Sequence, residues 1–255
     1  MTNYGALYGV GVGPGAPDLM TLRAVSVLKS VAVIAIPRRS EFDPSVAWNI
    51  AETSVGPVAG QERLYLIFPM TKDPTLLRPA WDVAFAAIGE RLEKGLSVAF
   101  ISEGDPFVYS TFIYLFNEAP GRWPGVKIEV VPAVSSITAV PCSTLVPLAD
   151  GKERIAILPA TYGVEDLTKV LKEFDTVILM KVSSVMPQVC EALEKQGLLD
   201  RAIYVSKATT SQEKIIRDIQ KIKNDKCDYF SMVVVSRRER SGVLVEARAE
   251  EVKAL

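Results

Sequence analysis

The stretch GVGPGAPD, residues 11–18, sets Gly11, Gly13 and Ala16 in the order Gly-x-Gly-x-x-Ala directly after an apolar run. That is the loose form of the turn that cradles a dinucleotide pyrophosphate between a strand and a helix. The chemistry needs free backbone N–H groups at a helix start. Pro14 and Pro17 remove two such donors, and Pro17 drives Ala16 toward extended backbone. The acid that would take a ribose is missing, because the second apolar run ends in Arg38 and Arg39. Either arginine could hold a 2′-phosphate, so an NADP-dependent oxidoreductase stays open as an alternative.

Three more turns carry polar groups directly after apolar runs. Gly104-Asp105-Pro106 lies in ISEGDPFVYST (101–111), Ser135 and Ser136 in VVPAVSSITA (130–139), and Met180 and Lys181 in TVILMKV (176–182). Taken singly, Asp105 reads as a helix cap with Pro106 in the first turn, and Ser135 as another cap. Their coincidence at strand ends argues for a ligand site, since open α/β sheets bind ligands beyond the carboxyl ends of their strands. The chain has no histidine. Ser-His-Asp and Cys-His nucleophiles and histidine metal sites are excluded, and no metal site is expected. A reaction whose reagent arrives already activated is favoured.

The elements that must present these turns read as alternating strands and helices. LYGVGV (7–12), VAVIAIP (31–37), LYLIFP (64–69), LSVAFIS (96–102) and KIEVVP (127–132) are apolar on both faces, as strands of a helix-covered parallel sheet are. Between them, DLMTLRAVSVLKS (18–30) opens with an Asp cap. TLLRPAWDVAFAAIGERLEKG (75–95) lines up Leu77, Trp81, Ala84, Ile88 and Leu92 on one stripe and stops at Gly95. A second series follows the turn-rich stretch STLVPLADGKE (143–153), with strands in 154–160, 176–181, 202–208 and 229–236 and a helix in 187–197. Residues 211–224 fit either a strand followed by a helix or one helix. The predicted organisation is α/β, with one domain over 1–144, a linker over 145–152 and a second domain over 153–255.

Bulk properties agree with an ordinary globular chain. Its 255 residues are 49% hydrophobic and 23% charged, and the formal net charge of −1 removes the field of a general nucleic-acid binder. No apolar run reaches membrane-spanning length, and MTNYGALYGV lacks the pattern of a secretory signal. Cys142, Cys190 and Cys227 are far apart in no ligand spacing, as expected of reduced thiols in a cytoplasmic protein.

GVGVGPGAPDLMTLRAVSVLKSVAVIAIP, SEGDPFVYST and VVPAVSSITA, in that order, resemble the most diagnostic stretches of the tetrapyrrole methylase family. The resemblance runs from residue 7 to about 236. IPRRSEFDPSVAWNI and LIFPMTKDPTLLRPAWDVAFAAI are most similar to members that methylate carbon 20 of precorrin-2 or cobalt-factor II. The resemblance implies two α/β domains with S-adenosyl-L-methionine held in the cleft between them. By position it implies cofactor contacts at Gly104, Asp105, Val108, Tyr109, Ser135, Ser136, Met180 and Ala208. The loop of Gly13, Pro14 and Gly15 would face a substrate trough and not a dinucleotide. A polycarboxylate macrocycle calls for cations, for which Arg38, Arg39 and Lys72 are the candidates. The chain has VYST where many relatives carry a second glycine, and Met180-Lys181-Val182 where many have Tyr-Met-Gly, so contacts at Met180 are assigned to backbone. No base is assigned among these residues. The family also implies a homodimer acting on a small tetrapyrrole; the near-neutral charge and the lack of a membrane-spanning run argue for no nucleic acid and no membrane among its partners. Methylation at another carbon, a diphthine synthase or a ribosomal RNA ribose methyltransferase would share the cofactor motifs. A non-catalytic binding module is the remaining class.

Overall fold

A computed structural model describes residues 3–71, 73–160 and 164–237. The chain divides into two compact units, Met1–Ser136 and Ile137–Leu255.

In the first unit, β1 (Leu7–Gly11), β2 (Val33–Arg38), β3 (Glu62–Ile67), β4 (Val98–Ser102) and β5 (Ile128–Val131) form a five-stranded sheet in the order β3-β2-β4-β1-β5. Every pairing is parallel. The strands read as unbroken apolar runs because both faces are covered. Ile34 and Ile36 of β2 and Ala99 and Ile101 of β4 pack on the side of α1 (Leu22–Ser30) and α2 (Val46–Val55). Their alternates Val33, Ala35, Val98 and Phe100 pack on the side of α3 (Pro74–Glu93) and α4 (Phe112–Arg122). The expected stripe on α3 faces that core, with Ala84, Ile88 and Leu92 buried and Leu77 and Trp81 half-buried. Gly95 ends the segment with φ +75.

One local expectation is corrected. Asp18 does not cap α1: it lies in a separate 3₁₀ turn, Pro17–Leu19, and the Thr21 side chain accepts from the Ala24 N–H at 3.1 Å instead. Pro17 fixes the first residue of that turn, and a new cap is then needed where the helix proper begins.

In the second unit, β6 (Ile155–Pro159), β7 (Thr176–Met180), β8 (Ala202–Ser206), β9 (Lys214–Ile216) and β10 (Ser231–Ser236) form a sheet in the order β6-β7-β10-β8-β9. β6 and β7 are parallel, and β10 runs antiparallel between β7 and β8. The exits of β7 and β8 therefore lie side by side at one end, flanking the start of β10. The ambiguous stretch 211–224 resolves into β9 and a 3₁₀ turn, Ile219–Ile222. Helices α6 (Val164–Glu173) and α7 (Met186–Lys195) pack with this sheet's core, α7 through Met186, Val189 and Leu193. Helix α5 (Ser136–Thr144) is tied to this unit by its far end. The Thr144 carbonyl accepts from Arg217 at 3.0 Å, and Ser143 Oγ donates to Glu213 at 3.0 Å. The division between the units falls after Ser136, the first residue of α5.

Candidate functional site

At the carboxyl end of the first sheet, the three turns singled out in that half of the sequence meet. The Val12 N–H donates to the Ser102 carbonyl at 2.9 Å, and the Gly104 N–H donates to the Gly13 carbonyl at 2.8 Å. The opening loop thus continues alongside the exit of β4. Gly13 and Gly104 sit at φ +86 and +66, backbone that a side chain would strain. Gly11 is required by proximity: a Cβ there would lie 2.5 Å from Ala133 Cβ and 2.6 Å from the Gly104 oxygen.

Asp105 is the cross-tie between two of the turns. One carboxylate oxygen accepts from the Phe107 N–H at 2.9 Å, and the other accepts from the Ala133 N–H at 3.0 Å, 28 residues away. The Val108 N–H donates to the Asp105 carbonyl at 3.2 Å, closing a turn with Pro106 inside it. The helix-cap reading of Asp105 is set aside, because α4 begins at Phe112 with Thr111 in the cap position. Tyr109 follows in left-handed backbone at φ 51, a costly conformation for a residue with a side chain. Ser110 Oγ donates to Ser102 Oγ at 2.9 Å. Ser135 and Ser136 stand at the start of α5.

The geometry of a dinucleotide cradle is not formed by the opening loop. Ala16 is extended, at φ −70 and ψ 129, and the nearest α-helix starts only at Leu22. Gly13 and Pro14 are buried, so of the three candidate trough residues Gly15 alone offers surface.

The basic candidates lie at the end of β2. Arg38 donates from Nη1 to the Glu41 carbonyl at 2.9 Å and stacks 4.7 Å over the Tyr65 ring, while its Nε is buried with no acceptor among the described residues. Arg39 is exposed. Lys72 lies outside the described residues.

The sequence reading missed Glu103. It is half-buried between the last residue of β4 and Gly104. Burial pushes its carboxyl up to about 8, against the opposing pull of the Arg39 charge. The available signal was an acid placed directly before a glycine turn at a strand end. A pH dependence of stability follows. The folded chain holds the Glu103 proton up to about pH 8, whereas the unfolded chain releases it near the ordinary value of 4.5. No penalty applies below the ordinary value, and stability is lost as pH rises between the two, by on the order of a few kcal/mol in total. Glu103→Gln should melt like the wild type at pH 5 and at a higher temperature at pH 9. Equal melting temperatures at both values would contradict the burial of this carboxyl.

The remaining candidates sit in the second unit. The Met180 carbonyl accepts from the Ala160 N–H at 2.7 Å, and the Lys181 and Lys207 N–H groups donate to Ser231 and Phe230 carbonyls at 3.2 and 2.9 Å. Met180 therefore already spends one backbone lone pair within the sheet. Lys181, Lys207 and Thr209 all have positive φ (58, 49 and 64) at the exits of β7 and β8, with Ala208 between the latter two. Such clusters of strained backbone are characteristic of ligand-binding turns. Glu213 pins this loop, accepting from the Thr209 N–H at 2.6 Å and from Ser143.

The fold defines a class first. A solved cobalt precorrin-4 methyltransferase shares it with a TM-score of 0.69 at 21% identity, covering 91% of this chain and 94% of that one. Residues 6–222 match the family of tetrapyrrole (corrin/porphyrin) methylases, and the chain belongs to that family. The probable cobalt-precorrin-2 C(20)-methyltransferase of Methanocaldococcus jannaschii is 35% identical over 236 residues, 92% of this chain and 97% of that protein. The cobalamin biosynthesis protein CobIJ of Mycobacterium tuberculosis is 31% identical over 252 residues, 96% of this chain. The chain spans about half (48%) of the length of CobIJ. Among the described residues, no helix is long and apolar enough to cross a membrane.

Proposed function

We propose that this chain methylates carbon 20 of precorrin-2 or cobalt-factor II, with S-adenosyl-L-methionine as the donor, in cobalamin biosynthesis. The observation that carries the reading is the match over nearly the whole length of a relative named for that reaction. The residues suit the donor. A Cβ at Gly104 would meet nothing within 4 Å, so the turn leaves open space beside backbone polar groups. The resemblance assigns the donor to Gly104, Asp105, Val108, Tyr109, Ser135 and Ser136 and to Met180 and Ala208. When bound, S-adenosylmethionine supplies a methyl group already made electrophilic by the sulfonium. The chain's own task is then alignment and the exclusion of water, which suits a protein without histidine. Asp105 serves by fixing the turn that carries Gly104 and Tyr109. A homodimer belongs to the same reading and rests on the resemblance, while a cytoplasmic location rests on the scattered cysteines and the absence of a nucleic-acid partner on the formal net charge of −1.

The test is transfer of labelled methyl to metal-free precorrin-2 and to its cobalt-loaded form, with the product's methylated carbon assigned by NMR. Label at carbon 20 of either supports the reading; label at another carbon overturns it.

Arg38 and Arg39 give the trough its cations in this proposal. Replacing both with Ala should raise KM for the tetrapyrrole about 5- to 150-fold, the equivalent of losing roughly 1–3 kcal/mol of guanidinium–carboxylate pairing. Affinity for S-adenosylhomocysteine should stay nearly unchanged, because those contacts lie at other strand ends. Added salt should weaken substrate binding by the wild type more than by the variant. Wild-type kinetics in the double variant would place the trough elsewhere.

A further inference from the structure

We propose that Glu103 is the group that takes the proton released from the methylated meso carbon. The proposal rests on the functional reading above and adds the base that reading lacks. In the step, the S–CH3 bond breaks with its electron pair left on sulfur, while a π pair of the macrocycle forms the new C–CH3 bond. The C–H bond at the same carbon then breaks, its pair restores the ring's conjugation, and the proton passes to the Glu103 carboxylate. No oxidant or reductant is required.

Position selects this residue. Glu103 follows the last residue of β4, the middle strand of the sheet, where the turns after β1 and β5 converge. Its carboxylate has no hydrogen bond within the protein among the described residues, so its oxygens are not committed to holding the fold. The next residue, Gly104, borders open space.

The other charged groups carried by the turns at this strand end are unsuited. Asp105 spends both oxygens on backbone N–H groups. Arg38 and Arg39, from the end of β2, stay charged. The turns after β1 (12–16) and β5 (132–136) contain no charged residue. Burial then supplies the matching proton affinity. A carboxyl pushed up to about 8 is basic enough to accept a proton near neutral pH, and the Arg39 charge keeps part of it ionised.

The experiment compares wild type, Glu103→Gln and Glu103→Asp with labelled methyl donor and precorrin-2, alongside NMR titration of carboxyl-labelled glutamate. Glu103→Gln should lower kcat by about 10²- to 10⁴-fold. It should leave the S-adenosylhomocysteine Kd within about twofold, which also shows that the variant folds. It should erase the acid limb of the wild-type rate profile near pH 8. Glu103→Asp should recover part of the rate. With precorrin-2 deuterated at carbon 20, the isotope effect should grow in the variants as proton removal becomes slower.

The titration should show one carboxyl with a midpoint near 8 in the wild type and none in Glu103→Gln. A Gln variant within about fivefold of the wild-type rate, or no carboxyl titrating above about 6, overturns the assignment. If the wild type methylates a different carbon, the functional reading fails alone, and the Gln-to-wild-type ratio at that carbon still decides the role of Glu103. If it methylates no tetrapyrrole, both fall.

Discussion

Gly11→Ala should lower the chain's stability and its donor affinity together. The added Cβ would lie 2.5 Å from Ala133 Cβ, 2.6 Å from the Gly104 oxygen and 2.9 Å from Pro106 Cδ. None of these is the far end of a flexible side chain, so relief requires moving the turns after β4 and β5 themselves. Overpacking of this kind costs about 1–3 kcal/mol where side chains can yield, and more where backbone must. A loss of roughly 3 kcal/mol or more corresponds to a fall in melting temperature of about 6–12 °C for a unit of this size. Because the displaced turns carry Gly104, Asp105 and Ser135, S-adenosylhomocysteine affinity should fall at least about tenfold, the equivalent of about 1.4 kcal/mol. Gly121→Ala is the matched control. It lies within α4, a Cβ there meets nothing within 4 Å, and the change should add about 0.5–1 kcal/mol. If Gly11→Ala melts within about 2 °C of the wild type, the three turns do not interlock as described.

What could be read in the sequence is what depends on neighbours along the chain. β2 and β4 stood out because both faces are buried, so Val33-Ile34-Ala35-Ile36 and Val98-Ala99-Phe100-Ile101 carry no polar residue to break the run. Helix α3 was legible from its stripe and from Gly95. The capping of α1 was not, since Asp18 and Thr21 are both good caps and Pro17 decides between them only by starting a turn of its own. β9, three residues long, is too short for any period to declare itself. The antiparallel placement of β10 between β7 and β8 is a matter of long-range pairing, on which local pattern is silent.

The site divides the same way. Its turns were visible because glycine, proline and serine cluster after strands. Roles depending on distant partners were not: Asp105 acquires its meaning from Ala133, and Glu103 from burial in the folded chain.

Asp105→Ala should weaken S-adenosylhomocysteine binding at least about tenfold while the chain still folds. Removing the carboxylate leaves the Phe107 and Ala133 N–H groups without their acceptor. The first is exposed and water can replace the bond; the second is partly buried, and its loss accounts for most of an expected stability cost of about 1–3 kcal/mol. The larger consequence is conformational. Once the turns after β4 and β5 are untied, Gly104, Tyr109 and Ser135 no longer hold one arrangement, and ligand binding must supply the ordering that Asp105 supplied beforehand.

Asp105→Asn separates this account from a direct ligand contact. The amide keeps one acceptor oxygen but turns an N–H donor toward one of the two backbone N–H groups, so it can tie only one turn. Its affinity and stability should both lie near those of the Ala variant. A carboxylate acting mainly on the ligand's ribose would instead leave stability almost unchanged in Asn while affinity fell. A helix cap would give the reverse of the Ala result, a stability loss of about 1 kcal/mol with affinity intact. Calorimetric titration with S-adenosylhomocysteine and thermal melts of the two variants distinguish the three. Only a joint loss of affinity and stability in both is compatible with a carboxylate whose oxygens face Phe107 and Ala133.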